Sequence, residues 1–481
     1  MAQGYQKDCY SPEDFVTVYP GVYEHGEKAF LDAYLAECKA IEERGTIDVQ
    51  AMIEGRLPEG TPGFEKMYEV PRALVEYQNK RIDPENRLIN DAEYARGMGY
   101  QDIFTLPTFT PHSNVDKAFP PAARDTILVS QLNGNITAYL PIYPEDQLYL
   151  VHNKRTIRDI TPDGGSMHRF MAISGESCIY NQRGEKVNDM AWNICEGVRI
   201  FKEDRRPMKR EDMGFQDSWE SPDWMARPQH HYTDKDWEFI LEGWKAEKRQ
   251  GDMPLYWEDV AVGDMPQATI DGPIMEGPDP DESSGHGKGG SITLKDKMLQ
   301  GNYKETMDLD AETGLYIPKD RADYVPAFPN LKEDAATDER GENFSEAEIH
   351  KKRANERGVL LNYVGRDIAI RHVNNWIGDH GWLKTIRWEI MSPELMAMYG
   401  KQVPKAPYFK NFMKKVPSLC CKELTAHPLT EDLAIVKSYV TDKYYENGEP
   451  LVELTWWIET IDHYIYCDGQ AVVKLPSKNQ K

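Results

Sequence analysis

No stretch of this 481-residue sequence approaches the roughly 18 uninterrupted apolar residues of a membrane-spanning helix. The opening, MAQGYQKDCYSPEDF, has no apolar core of the kind a secretory signal carries. Basic residues are outnumbered: 57 Lys and Arg against 80 Asp and Glu leave a net charge of −23, which argues against nucleic acid or an anionic membrane as the main partner. Seven cysteines, an odd number with no CxxC pair, do not make a disulfide framework. A soluble cytoplasmic protein is the expectation. HExxH is missing, and His230 and His231 are merely adjacent, so neither a metal site nor a cofactor is expected. No GxSxG elbow occurs and no GxGxxG follows a strand, which removes the serine-hydrolase and dinucleotide-binding readings.

What remains is a chain with 40% hydrophobic and 28% charged residues, long enough for two or three domains with real cores. Glu27 to Glu43 sets Phe30, Tyr34, Leu35 and Cys38 at helical spacing, and PRALVEYQNKRI (Pro71 to Ile82) reads as a second helix with proline in its first turn. Strand signals follow, with TILVSQLNGNITAYLPIYPEDQLYLVHNKRTIRDITPDGG cut by Asn-Gly and Pro-Asp-Gly turns and MHRFMAISGESCIYNQRGEKVNDMAWNICEGVRIF supplying two or three more strands. A charged, Pro-rich bridge spans Lys202 to Gln229; its KEDRRPMKRED segment is either a local basic patch or a solvated loop of mixed charge. Thr233 and Asp236 then predict a capping box on a helix that keeps Trp237, Ile240, Leu241 and Trp244 on one face.

The second half repeats the first. An apolar helix ends near Gly378, and the strands of LAIVKSYVTDKYYENGEPLVELTWWIETIDHYIYCDGQAVVKLP follow with Asn-Gly and Asp-Gly turns. Helix then antiparallel meander, twice, predicts an α+β fold in two halves: 1–230, a connecting helix at 231–250, and 251–481. The polar stretch from Gly272 to Asn343 is too long for an ordinary connection and reads as a lid or an insertion.

LYWEDVAVGDMPQATIDGPI (Leu255 to Ile274) resembles the entry segment of MaoC-like dehydratases, the (R)-specific enoyl-CoA hydratase group. NRLINDAEYARGMGYQDIFTLPTF (Asn86 to Phe109) is similar to that family's hydratase loop, Gly-Asp-x-Asn-Pro-x-His-x-Asp-x-x-x-Ala, followed by its Pro-Pro-Thr-Phe. YLPIYPEDQLYL and the closing GQAVVKLP are similar to further family strands, so the resemblance covers most of the chain outside 272–343. It implies a tandem (double) hotdog, each half a long helix wrapped by a curled antiparallel sheet. It also implies a lyase that adds or removes water on an acyl substrate such as a coenzyme A thioester. Homodimerisation stays open. Such chemistry needs a base for the water, an acid for the α-carbon and a donor to the enolate-like oxygen.

Residue by residue the motif is altered. Asn86, Asp91 and Ala95 fall on their family positions, but Ile89 stands at the histidine and Pro84 at the catalytic aspartate, with Asp83 next to it. In the second half, counting back from Ala354 puts Glu348 at the histidine position and His350 at the second aspartate. The acid–base candidates are therefore His350, His372, Asp367 and Asp83, with Asn86, Tyr94, Lys288 and Trp376 as substrate-binding candidates. Lys288 lies in SSGHGKGGS, which fails the phosphate-loop pattern yet offers backbone N–H groups to an anion, unless it is a plain Gly-rich loop. Two other functions remain open: a non-catalytic hotdog subunit that binds a ligand or completes a partner's site, and a hotdog lyase or hydrolase on a non-thioester substrate.

Overall fold

The computed structural model describes residues 27–107, 127–159, 168–199, 230–274, 295, 298–311, 313–318, 363–390 and 432–479. In chain order these form α1 (Glu27–Arg44), α2 (Val49–Ile53), β1 (Phe64–Glu69), α3 (Arg72–Ile82), α4 (Arg87–Asn90), α5 (Ala92–Gly97), β2 (Ile127–Ala138), β3 (Gln147–Asp159), β4 (His168–Tyr180) and β5 (Lys186–Arg199). There follow α6 (Asp234–Ala246), β6 (Thr269–Asp271), α7 (Tyr303–Thr306), β7 (Met307–Leu309), β8 (Tyr316–Pro318), α8 (Tyr363–Ile377), β9 (Trp382–Ile390), β10 (Ala434–Glu446), β11 (Glu449–Glu459) and β12 (Ile465–Lys474). Among the described residues no helix is long and apolar enough to cross a membrane.

Two compact units emerge. One holds the described residues up to 75 together with 104–199; the other holds 76–103, 230–390 and 432–479. The loop that carries the hydratase-like motif thus belongs to the second unit. In the first unit the strands lie in the order β1-β3-β4-β5-β2, every pair antiparallel. In the second they lie β6-β10-β11-β12-β9, again antiparallel throughout. Matching β1 with β6, β2 with β9 and β3–β5 with β10–β12 makes the two orders identical. The strand order of the two units thus repeats.

In the first unit α1 packs on β3, and Ile47, Met52, Tyr149 and Val151 form a core. In the second, α8 packs against β9, β10, β11 and β12. Ile368, Ala369, Ile370 and Val373 are buried, but so are Arg371 and His372, so this helix has charged and polar side chains inside the fold. Around it α6 does what its sequence promised. Thr233 and Asp236 close a capping box, and Trp237, Ile240 and Trp244 enter a core with Ile270, Leu433 and Ile435. The indole N–H groups donate to Gly314 O at 2.8 Å and Ile270 O at 3.0 Å, so burial leaves neither unsatisfied.

Part of the 272–343 stretch is built into this core: Met298, Met307 and Leu315 are buried in it, and β7 pairs with β8. Asn447-Gly448 forms the expected two-residue turn between β10 and β11, with φ of 51° and 80°. Two other turn expectations are corrected. Asn133-Gly134 lies inside β2, opposite Asn193 and Trp192, and Asp468-Gly469 lies inside β12, opposite Trp457 and Trp456. The Pro-Asp-Gly of the first half lies outside the described residues.

Candidate active site

The motif loop begins where α3 ends. Asn86 caps α4, its side-chain oxygen accepting from Leu88 N at 3.1 Å while its amide donates to Asp83 Oδ2 at 3.2 Å. Asp91 caps α5 by accepting from Glu93 N and Tyr94 N, and these backbone donors hold its carboxyl below the usual carboxylate range. Ile89, at the histidine position, is buried, with its carbonyl accepting from Asn79 Nδ2 at 2.7 Å. Tyr94 donates its hydroxyl to Asp379 at 2.6 Å, and burial with that acceptor pushes the phenol up to about 12.

The loop's acids run into a buried charged cluster. Asp83, wholly buried, is ion-paired with Arg249. Glu85 lies 3.0 Å from Lys295 Nζ and 3.8 Å from Arg371 Nη2. Burial pushes its carboxyl up, but Lys295, Arg371 and Arg249 outweigh burial and hold it below the usual range. Arg371 on α8 is the hub: Nη1 donates to Asp271 Oδ2 at 3.2 Å and Nη2 to Glu247 Oε1 at 2.5 Å. Burial pushes the Asp271 carboxyl up to about 6; Arg371 opposes this without reversing it, and Glu247 adds to it. Burial at the end of β6 thus favours the protonated form of this carboxyl more than water does.

The remaining candidates fall as follows. His372, next to the hub, is buried with both ring nitrogens engaged, Nδ1 with Thr269 Oγ1 at 3.1 Å and Nε2 with Ser438 Oγ at 2.8 Å. Burial and then Arg371 draw it down to about 3, so it is neutral. Asp367 is buried and accepts from Arg366 Nε at 3.2 Å. Trp376 is half-buried on α8. His350 and Lys288 lie outside the described residues. The structure thus brings Asp83 and Asn86 to the charged cluster and leaves His372 and Asp367 in separate hydrogen bonds. His230, half-buried, meets Asp462 and Asp236. Among the described residues no group of three or more His, Cys, Asp or Glu side chains is placed to hold a metal.

No family model matches the sequence, and no curated protein matches it either. Solved MaoC-like dehydratases are similar to this chain over most of its length. One is 11% identical with a TM-score of 0.40, covering 86% of this chain and 98% of its own. A second, from Phytophthora capsici, is 9% identical at a TM-score of 0.34 and covers 90% and 100%. A conserved hypothetical protein from Mycobacterium tuberculosis, described as a double hotdog, is 10% identical at 0.39 and covers 90% and 99%.

Arg371, Glu247, Asp271 and Lys295 were absent from the sequence candidates. One signal was there: arginine interrupts the apolar run IAIRHV of a helix otherwise read as core, with Asn375 one turn on. For Glu247 and Lys295 the sequence held no such mark, because nothing in it says which helix end faces Arg371.

Proposed function

We propose that the chain is a tandem-hotdog lyase of the hydratase and dehydratase kind, acting on an acyl substrate, first a coenzyme A thioester. The observation that carries this reading is geometric: the buried Asp271 carboxyl accepts from Arg371 Nη1 at 3.2 Å, the same guanidinium holds Glu247, and burial pushes the Asp271 carboxyl up. Hydration of an α,β-enoyl thioester needs an acid that can give a proton to the α-carbon and recover it, and a carboxyl is one such group. Asp271 has that capacity, and the motif order across the chain supplies the substrate class. In this reading Asn86 and Tyr94 act in positioning and Trp376 in holding the acyl portion; Lys288, for the phosphate portion, and His350, as a second acid–base group, are assigned from the sequence alone and lie outside the described residues. Asp83 and Asp367 support the charged side chains that bond them, and His372 supports β6 and β10 through Thr269 and Ser438.

Incubation with crotonyl-CoA, following loss of the enoyl absorbance, is the test. Turnover that falls by at least about 100-fold in Asp271→Asn supports the reading; no turnover with any enoyl-CoA ends it. A second reading, a non-catalytic hotdog subunit, is favoured by the engagement of His372 and Asp83 in internal bonds. It requires that His350→Ala and His372→Ala leave the activity of a complex intact.

A further inference from the structure

Glu247 caps the C-terminus of α6 and turns its carboxylate to α8. The two oxygens are used unequally. Oε1 accepts from Arg371 Nη2 at 2.5 Å and Asn375 Nδ2 at 3.0 Å, and Lys295 Nζ lies 3.4 Å away. Oε2, buried as well, has no hydrogen-bond partner among the described residues, and the same is true of Asn375 Oδ1 and Arg371 Nε. The bond from Nδ2 to Glu247 fixes which end of the Asn375 amide is the oxygen. Arg371 commits Nη1 to Asp271 and Nη2 to Glu247, and its Nε–H shares an edge of the planar guanidinium with Nη2.

Two buried acceptors and one buried donor therefore stand on three residues joined by direct hydrogen bonds. Leaving them dry is costly, most of all for the charged oxygen. Their donor and acceptor count matches one molecule that gives two hydrogen bonds and takes one, which is what water offers. We infer that Glu247 Oε2, Asn375 Oδ1 and Arg371 Nε bind one water, and that Glu247 is the base acting on it; the second clause rests on the hydratase reading. The water oxygen bonds to the β-carbon of the enoyl group as its proton passes to Oε2. The π pair moves to the α-carbon, which takes the proton held by Asp271, and the proton gained by Glu247 is returned to Asp271. Water has then been added across the double bond, with both carboxyls restored. Asn375 and Arg371 are positioning residues in this step.

The test has two arms on the full-length chain. A high-resolution crystal structure is expected to show one ordered water within hydrogen-bond distance of Oε2, Oδ1 and Arg371 Nε; its absence there overturns the inference. In the crotonyl-CoA assay Glu247→Gln is expected to lower kcat by about 10²–10⁴-fold with KM within about twofold. Wild-type kcat in this variant overturns the role of Glu247. Asn375→Ala leaves the Glu247 charge in place and is expected to lower kcat as well, so it decides the matter if Glu247→Gln does not fold. Glu242→Gln, on the exposed face of α6, serves as the unaffected control. A wild-type chain that hydrates no enoyl-CoA overturns the hydratase reading and the base role together, and the density alone then decides the water site.

Discussion

Arg371 Nη1 donates to Asp271 Oδ2 at 3.2 Å with the two side chains only 1% and 2% exposed. The same guanidinium holds Glu247, so a neutral replacement leaves two acids in the interior with Lys295 as the nearest remaining cation for Glu247. Breaking a buried pair from one side costs about 3–5 kcal/mol. Arg371→Met is therefore expected to destabilise the fold by that amount in denaturant titration followed by tryptophan fluorescence. Arg371→Lys keeps the charge without the fork and falls between the two.

Asp271 makes stability depend on pH in a particular direction. Its carboxyl rises from 3.8 to about 6 on folding, so the folded state holds the proton more tightly than the unfolded chain. The contribution is fully present below about pH 4 and is lost as pH rises through 6. Asp271→Asn is isosteric with the protonated form and keeps its contribution at every pH. The difference in urea midpoint between variant and wild type is expected to grow from pH 4.5 to pH 7. A difference that stays flat over that range contradicts the assignment.

Two buried histidines act in the opposite sense. His152 in the first unit accepts at Nε2 from Arg155 Nη2, 2.8 Å away, so Nδ1 carries the hydrogen and donates to Ser177 Oγ at 2.7 Å. Burial, then Arg155 and Arg44, draw it down to about 3, and His372 in the second unit is drawn down equally. Their stabilising effect is complete above pH 6.5 and falls as pH drops toward 3, by about 1.4 kcal/mol per pH unit for each. Melting temperature should fall on acidification from pH 6.5, and His152→Gln should fall less steeply than wild type. Equal slopes count against a neutral buried His152.

Much of this was legible in the sequence where local signals were strong. The capping box of Thr233 and Asp236, the helix ending near Gly378 and the Asn447-Gly448 turn are each set by neighbours in the chain, and each appears in the structure. The altered hydratase loop was also legible as altered: Ile89 is core, and Asp91 is a helix cap. Not legible was the cluster around Arg371, whose members come from residues 83, 85, 247, 249, 271, 295 and 371. Such a group is assembled by packing, and single-sequence periodicity has no access to it. The misread Asn133-Gly134 and Asp468-Gly469 pairs share another cause. A glycine after Asn or Asp permits a turn, but it equally permits close approach within a sheet.

Capping can be tested by itself. Thr233 Oγ1 accepts from Asp236 N, and Asp236 Oδ2 accepts from Thr233 N at 2.7 Å. Thr233→Ala removes the first bond and the bond from the Thr233 hydroxyl to Asp236 Oδ2 at 2.7 Å, and should cost about 1 kcal/mol, read as a shift of the denaturation midpoint at unchanged slope. No shift means that tertiary contacts of Trp237 and Trp244 alone hold the start of α6.

Gly469 illustrates close approach most sharply. In β12 it lies between Trp456 on β11 and Trp388 on β9, both buried. A Cβ at this position would fall on the Arg387 carbonyl oxygen and within 2.5 Å of Trp456 Cζ2. Neither obstacle is the free end of a flexible chain: one is ladder backbone, the other a ring inside the core. Relief requires β9 or the Trp456 ring to move, and both are fixed by packing against α8 and the neighbouring strands. Gly469→Ala is therefore expected to destabilise the second unit by about 3 kcal/mol or more, at the upper end of overpacking effects. Gly448→Ala makes the comparison, because a Cβ there meets nothing within 4 Å and only the φ of 80° opposes it. Thermal unfolding of the two variants should rank Gly469→Ala well below Gly448→Ala; the reverse order would show that turn strain outweighs packing in the second unit.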